Sequence, residues 1–196
     1  MKTNFYLARH GDVGQGAVSS LNSRITPEGK KDMTALAELF VQKKIKFDVA
    51  YCSDLIRVQE SIGIILDLQP DCQKVESYKL REKDFMELVD CDECDKMKLS
   101  RGSYLPHKEQ GIIEKYGCES TQSVFNRAIQ VKEDILKNHK GKNVLVVSSG
   151  GFLMIFQCVL NNMSYEDYKT LCEKDGGKSI SGLVIERGQF KLITAE

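Results

Sequence analysis

The chain has 196 residues, the length of one sizeable domain, and we expect a single domain over residues 1–196. Hydrophobic residues make up 41% of it and charged residues 29%, and its 28 basic side chains balance 28 acidic ones, as in ordinary folded proteins. A neutral chain with no long basic stretch argues against a nucleic-acid partner, and no apolar run approaches the roughly 18 residues that span a membrane. The N-terminus leads straight into a strand-like segment rather than a signal peptide, so the cytoplasm is the expected location.

Predicted strands and helices alternate along the first half of the chain. Residues 3–8 form a short apolar run that predicts a buried strand, and a glycine-bearing loop follows over 11–23. Thr26 as N-cap and Pro27 at the first helical position then begin an amphipathic helix that we expect to end near Lys43. Next come a predicted strand over 47–52, a cap at Ser53–Asp54, a helix over 55–66 and a short strand over 75–80.

The pattern loosens over about 83–118, which predicts an insertion or lid. Beyond it we expect a helix over 121–137, an apolar strand over 144–147, a helix over 152–160, an exposed helix near 164–174 and a C-terminal hairpin over 183–193. The alternation predicts an α/β fold, a three-layer sandwich with a mostly parallel central sheet flanked by helices.

Seven cysteines are scattered along the chain, and without secretion signals we expect free thiols. Cys91 and Cys94 form a CxxC pair that would hold zinc only with further ligands, for which Cys118 and His107 are the candidates. A second CxxC pair is missing from the sequence, so we expect no metal. No cofactor is expected either.

Polar and charged side chains follow each predicted strand. They are Arg9 and His10 after the first, Ser53 and Arg57 after the second, Arg81 and Glu82 after the third, and Ser148 and Ser149 after the apolar strand. Ligands of open α/β sheets bind beyond the carboxyl ends of the strands, so these side chains should meet at one edge. Guanidinium donors and a helix N-terminus suit phosphate oxygens, so a small phosphorylated substrate is expected.

Five short motifs occur in order along nearly the whole chain. They are Leu7-Ala8-Arg9-His10-Gly11, Ile25-Thr26-Pro27-Glu28-Gly29, Ser53-Asp54-Leu55-Ile56-Arg57-Val58-Gln59, Leu80-Arg81-Glu82, and Gly117-Cys118-Glu119-Ser120 with Arg127. Their types and order resemble the histidine phosphatase superfamily, which includes cofactor-dependent phosphoglycerate mutase and its broad-specificity phosphatase relatives. Each motif alone is weak evidence, but five in this order are strong evidence, and the resemblance implies a phosphoglycerate mutase-like fold.

The resemblance also implies a role for four of these residues. His10 would be the nucleophile that forms a phosphohistidine, and its attacking nitrogen must be unprotonated. Arg9 and Arg57 would bind the phosphoryl oxygens, and Glu82 would protonate the leaving oxygen and later activate water.

One motif departs from the family. Where the family has Val-Ser-His-Gly after the central strand, this chain has Val147-Ser148-Ser149-Gly150, so Ser149 replaces the second histidine. Ser149 and Gly150 are still expected to bind the phosphoryl group, but a serine hydroxyl donates one uncharged hydrogen bond, which predicts weakened activity. A helix N-cap is an equally good interpretation of Ser149, and Arg127 is open between a functional role and an ordinary solvated side chain.

Three functions fit these residues. The first is a phosphohydrolase of small phosphate esters, favoured because the other catalytic residues are present. The second is a catalytically inactive phosphate-binding module, favoured by Ser149, and the third is a phosphoglycerate mutase. A histidine in the predicted lid, His107, is a candidate substitute for the missing one, whereas His139 precedes the central strand and should lie at the opposite edge.

Overall fold

The computed structural model describes residues 1–14, 22–84, 106, 113, 117–175 and 183–195. The predicted insertion at 83–118 falls largely outside these ranges, and with it Cys91, Cys94 and His107. The described cysteines, Cys52, Cys72, Cys118, Cys158 and Cys172, are free thiols. None of the described helices is long and apolar enough to cross a membrane.

Strands and helices alternate in the predicted order. The strands are β1 (Thr3–Arg9), β2 (Val49–Cys52), β3 (Gln73–Glu76), β4 (Asn143–Ser148) and β5 (Phe190–Ala195). The helices are α1 (Pro27–Gln42), α2 (Ile56–Leu66), α3 (Thr121–Asn138), α4 (Gly150–Leu160) and α5 (Tyr165–Asp175), with a short 3-10 helix at Tyr78–Leu80.

The strands form one five-stranded sheet in the order β3-β2-β4-β1-β5. Strands β1 to β4 are mutually parallel, and β5 runs antiparallel to β1 at the edge. The sheet is therefore mostly parallel, as the sequence predicts. Its antiparallel edge strand also brings the segment before β5 to the carboxyl edge of β1.

Alternate side chains of the central strands pack against different helices, because successive residues of a strand point to opposite faces. Phe5 and Leu7 lie in a buried cluster with residues of α3, α4 and α5. Tyr6 and Ala8 lie in a second cluster with residues of α1 and α2. Burying a large apolar side chain contributes roughly 1.5–3 kcal/mol, so both faces stabilise the three-layer sandwich that the sequence predicts.

Two local predictions in the first half are wrong. Ser53 and Asp54 do not cap α2, whose N-cap is Leu55 without a side-chain hydrogen bond, because the Asp54 carboxylate instead accepts both a 2.6 Å bond from Arg81 Nε and a bond from Arg81 Nη2. The strand predicted over 75–80 is also shorter, since β3 ends at Glu76 and a 3-10 helix follows.

The predicted C-terminal hairpin over 183–193 is wrong as well. Residues 183–189 form no strand, whereas Phe190–Ala195 forms β5 and pairs with β1. The Leu183 carbonyl accepts a 2.6 Å hydrogen bond from Gln157 Nε2 of α4, and Ile185 is buried in the helix-covered core. Burial of these apolar side chains against α4 therefore replaces strand pairing.

Candidate active site

The predicted site residues lie at the carboxyl edge of the parallel strands. Arg9 ends β1 opposite Ser148, which ends β4, and the His10 N–H donates to the Ser148 carbonyl at 3.0 Å. Arg57 is the second residue of α2, which follows β2, and Ser149 immediately precedes α4, which follows β4. The sheet topology thus places these side chains at one edge of the sheet.

His10 is held as a neutral imidazole. It is only 2% exposed, and its Nδ1 lies 2.7 Å from the Gly11 carbonyl oxygen. A carbonyl only accepts hydrogen bonds, so the proton is assigned to Nδ1 and Nε2 carries the lone pair. Burial lowers the pKa of His10 from 6.5 to about 3 against the opposing effect of the Gly11 bond, and the charges of Arg57 and Arg9 lower it further. An unprotonated Nε2 is the form that a nucleophile requires.

Two guanidinium groups accompany His10. Arg57 is 3% exposed, and its pKa is lowered by burial, an effect that the Glu82 charge opposes and the Arg9 charge reinforces. The Arg9 guanidinium packs on the first residue of α4, because an ideal Cβ on Gly150 would lie 3.2 Å from Arg9 Nε and 3.3 Å from its Cζ. Both arginines stay charged at any ordinary pH, so the site carries fixed positive charge beside a neutral imidazole.

Ser149 occupies the N-cap position of α4 but does not cap it. Its backbone is extended, and its side chain accepts no hydrogen bond from the helix. Its hydroxyl is buried and has no hydrogen-bond partner among the residues that the structure describes. The cap comes from another element, since the Gly151 N–H donates to Glu82 Oε2 at 3.2 Å. A buried hydroxyl of this kind is a donor available to a ligand.

Glu82 is fixed by backbone donors on both sides. Its Oε2 accepts from Gly151 N of α4, and its Oε1 accepts from Lys83 N at 3.0 Å. These two bonds fix the position of the Glu82 carboxyl group at the N-terminus of α4. Burial lowers the pKa of Arg57 and the charge of Glu82 opposes this shift, so the predicted acid lies close enough to interact with that guanidinium.

Arg127 is a structural clamp behind Glu82 rather than a solvated side chain. Its Nε and Nη2 donate to both carboxylate oxygens of Glu119, at 2.8 and 3.0 Å. It also donates to the carbonyls of Lys79 and Arg81 at 2.7 Å each and of Glu82 at 3.2 Å. Burial would raise the pKa of Glu119, but the bonds and charge of Arg127 lower it overall. The segment that presents Glu82 is thereby tied to α3.

Sequence reasoning overlooked Ser61, which joins two parts of the site. Its hydroxyl accepts from the Gly11 N–H at 3.0 Å and donates to the Arg57 carbonyl at 2.6 Å. The loop beside His10 and the helix that carries Arg57 are thus linked through one buried side chain. A serine among the apolar residues of an amphipathic helix is the signal that marks such a position.

Gly11 and Gly29 explain why the motifs at 7–11 and 25–29 occur together. A Cβ on Gly11 would lie 2.7 Å from the Gly29 carbonyl oxygen, and a Cβ on Gly29 would lie 2.5 Å from the Asp12 nitrogen. The loop after His10 therefore crosses directly over the first turn of α1, and only glycine permits this approach. Thr26 completes the contact as N-cap, accepting from Gly29 N and donating to Asp12 Oδ2 at 3.1 Å.

Sequence reasoning also overlooked an ion pair between Asp12 and Arg187. Arg187 Nη1 donates to Asp12 Oδ1, and the two residues are 175 positions apart in the chain. No local pattern connects them, so the pair becomes visible only when β5 is placed against β1.

The remaining candidates lie elsewhere. His139 ends α3 at the amino edge of the sheet, where its carbonyl accepts from Lys142 N at 3.2 Å, far along the strands from His10. Within the described part of the chain, no cluster of three or more His, Cys, Asp or Glu side chains could hold a metal ion.

Comparison with known proteins agrees with this fold. The family model of the histidine phosphatase superfamily (branch 1) matches residues 5–195, and the chain belongs to that superfamily. The 2,3-bisphosphoglycerate-dependent phosphoglycerate mutase of Rhizobium etli is 27% identical over 176 residues, 85% of this chain and 83% of the relative. The metal-independent phosphoserine phosphatase of Arabidopsis thaliana is 26% identical over 157 residues, 77% of this chain and 66% of the relative.

The fold has solved counterparts. The alpha-ribazole phosphatase of Shigella flexneri superposes with a TM-score of 0.71 at 19% identity, covering 96% of this chain and 89% of that one. This likeness supports the phosphoglycerate mutase-like α/β architecture. The superfamily comprises phosphatases and mutases that act on small phosphorylated substrates, so phosphohydrolase or mutase chemistry is the activity its membership suggests.

Proposed function

We propose that the protein is a phosphohydrolase that cleaves small phosphate esters through a phosphohistidine at His10. The observation that carries the proposal is the state of this side chain: a buried neutral imidazole with Nδ1 bonded to Gly11 and Nε2 carrying the lone pair. Fixed tautomer and low pKa together supply an unprotonated nucleophile without a separate base. Its neighbours are arginines, which complement a phosphoryl group.

The reaction proceeds in two displacements at phosphorus. In the first, the Nε2 lone pair of His10 bonds to phosphorus, the ester P–O bond breaks, and the leaving oxygen takes a proton from protonated Glu82. In the second, water attacks the phosphohistidine and gives a proton to the Glu82 carboxylate. The P–N bond breaks, its electron pair returns to Nε2, and inorganic phosphate leaves.

The positive groups stabilise the charge of the phosphoryl oxygens during both displacements. We assign Arg9 and Arg57 to this role, because their charges act on His10 and because phosphoryl transfer depends mainly on positioning and charge. The Ser149 hydroxyl and the Gly150 N–H at the start of α4 add uncharged donors. By its resemblance to the family motif, Ser149 replaces the second histidine, so the proposed enzyme would work with one charge-assisted donor fewer.

Two other functions make different predictions. A phosphate-binding protein without turnover is favoured by the serine at 149, and a mutase is favoured by the names of several relatives, including the Rhizobium etli protein. The phosphatase is preferred here because His10, Arg9, Arg57 and Glu82 need no further group for hydrolysis.

A screen of phosphorylated metabolites for release of inorganic phosphate tests the proposal, with His10→Asn as the blank. The asparagine amide can replace the Nδ1–H bond to Gly11 while removing the nucleophile, so the loop geometry is retained. The phosphatase predicts release by the wild type and none by the variant. Phosphate binding without release indicates the inactive module, and interconversion of phosphoglycerates faster than phosphate release indicates a mutase.

A further inference from the structure

Arg187 lies at the same edge of the sheet as the proposed phosphate site. Because β5 runs antiparallel to β1, its first residue, Phe190, is opposite Ala8, two positions before His10. The segment that precedes Phe190 therefore extends beyond the carboxyl end of β1. This position follows from the replacement of the predicted hairpin by pairing of β5 with β1.

The contacts of Arg187 hold it beside the loop after His10. Its Nη1 donates to Asp12 Oδ1, and the side chain of Arg187 is 33% exposed. Its Nε is buried and has no hydrogen-bond partner within the described part of the chain. Gly188 has φ +70, and a Cβ added to it would lie 3.6 Å from Asp32 Cβ, so the segment passes close to α1.

Asp12 is committed to this arrangement as an anion. Burial would raise its pKa, but bonds from Gly14 N and from the Thr26 hydroxyl, together with the charge of Arg187, lower the pKa overall. Asp12 Oδ1 accepts from one nitrogen of the Arg187 guanidinium, Nη1. A guanidinium has five N–H donors, so several remain for a further acceptor.

The charge of Arg187 reaches His10. Burial is the main cause of the low pKa of His10, and Arg187 is among the charges that lower it further, after Arg57 and Arg9. Arg187 thus contributes to the same electrostatic environment as the two arginines of the proposed site.

We propose that Arg187 is a third guanidinium of the phosphate pocket and binds the phosphoryl group or the bound phosphate product. This inference rests on the proposed function of the His10 site. Arg187 would supply a positive charge from the β5 side of the pocket, whereas Ser149 supplies only an uncharged hydroxyl. A mobile terminal segment would serve poorly, but the Asp12 pair fixes the guanidinium before the ligand arrives, which reduces the entropy lost on binding.

Titration calorimetry with inorganic phosphate tests the proposal on the full chain. Arg187→Gln should weaken phosphate binding at least about tenfold, the lower end of what one charge-assisted hydrogen bond contributes. Arg187→Lys should fall between the wild type and Arg187→Gln, because it keeps the charge and loses the fork. The matched control is Arg24→Gln, which breaks a surface ion pair with Glu60 and should bind as the wild type does.

Asp12→Asn separates ligand binding from a merely structural ion pair. If Arg187 acts only through its ion pair with Asp12, then Asp12→Asn and Arg187→Gln should weaken phosphate binding equally. That result would overturn the proposal. Binding by Arg187 predicts the opposite sign, with phosphate bound as tightly or more tightly by Asp12→Asn, because a nearby negative charge is removed. Melting temperatures measured beside the titrations identify variants that fail to fold.

Modification of wild-type arginines by phenylglyoxal keeps the test decisive if the Arg187 variants do not fold. Inorganic phosphate should slow modification of Arg187, mapped by mass spectrometry, and leave Arg24 unchanged. Equal rates for Arg187 with and without phosphate overturn the inference. If the wild type binds phosphate and turns over esters in that case, the proposed function stands without it; a wild type that does neither overturns both.

Discussion

Replacing Ser149 by histidine should raise the phosphatase turnover of the protein at least about tenfold, which corresponds to about 1.4 kcal/mol of activation free energy. The imidazole would add a donor at the N-cap of α4, where the serine hydroxyl is buried without a partner in the described structure. Removing one preorganised donor from a developing charge typically costs on the order of 10² to 10³ in rate, so a partial recovery is well within reach.

Loss of a helix cap should add little to the stability cost of this substitution, for a reason visible at the helix start. A capping serine contributes about 1 kcal/mol, but Ser149 makes no capping bond and Glu82 accepts from Gly151 in its place. The neighbouring arginines disfavour protonation of the new imidazole, so its charged form is present only at lower pH. Because the charged form is the stronger donor, the gain in rate should be larger near pH 6 than near pH 8.

The assay is steady-state hydrolysis of a chromogenic phosphate ester, with the melting temperature of each variant measured alongside. Ser149→Ala is the control, and it should lower the residual rate because the hydroxyl is lost. The gain from Ser149→His should be larger in an Arg187→Gln background, since both cations act on one phosphoryl group. A folded Ser149→His protein that is no faster than the wild type would refute the assignment of Ser149 to the pocket.

Three further predictions concern His10, Arg127 and Gly150. The pKa of His10 is depressed from 6.5 to about 3 on folding, so the unfolded chain binds its proton first as pH falls; the stabilising contribution is complete above about pH 6.5 and is lost toward pH 3. Urea unfolding should show a steeper decline in stability over that window for the wild type than for His10→Asn, by at most about 1.4 kcal/mol per pH unit. Arg127→Met removes the cation that pairs with Glu119 and should reduce the unfolding free energy by roughly 3 kcal/mol and lower kcat as well. Gly150→Ala places a methyl group against Arg9 and should weaken phosphate binding several-fold, as measured by calorimetry, with little change in melting temperature.

Each of the three has an outcome that contradicts it. Parallel pH profiles for the wild type and His10→Asn would contradict the neutral buried imidazole. An Arg127→Met protein with unchanged kcat would show that the clamp on Glu82 is irrelevant to turnover. Gly63→Ala is the control for Gly150→Ala: its Cβ meets nothing within 4 Å, so it should raise stability by about 0.5–1 kcal/mol and leave phosphate binding unchanged.

The fold class was predictable because the apolar pattern of the central strands is strong. Val144 to Val147 is an apolar run that predicts a strand buried on both faces, and helices with three- and four-residue spacing flank it. Thr26 and Pro27 likewise identify the start of α1, which the structure confirms. Local sequence is sufficient for these elements because packing and local preference agree.

The errors arise where long-range contacts override local pattern. The apolar run at 183–185 predicts a hairpin strand, but Leu183 and Ile185 pack into the helix-covered core and the Leu183 carbonyl accepts from Gln157 of α4 instead. Asp54 is a typical N-cap residue, yet its carboxylate accepts a hydrogen bond from Arg81 instead of capping α2. Both outcomes depend on partners more than 25 positions away, which periodicity and capping rules do not see.

The same distinction applies to the site. The placement of Arg9, His10 and Arg57 at one edge of the sheet was predictable because each follows a strand or begins the helix after one, and the topology brings strand ends together. The role of Arg127 was ambiguous in the sequence because its guanidinium donates to carbonyls 45 to 48 positions away. Arg187 was missed because its approach to Asp12 depends on the antiparallel edge strand.

Trapping the phosphorylated protein tests the central claim most directly. Wild-type protein incubated with a phosphate ester and quenched in base should carry one phosphoryl group, stable to alkali and labile to acid, which mass spectrometry assigns to His10. The His10→Asn protein should carry none and release no phosphate. Undiminished turnover by His10→Asn, or a phosphoryl group on any other residue of a turning-over wild type, would contradict the account.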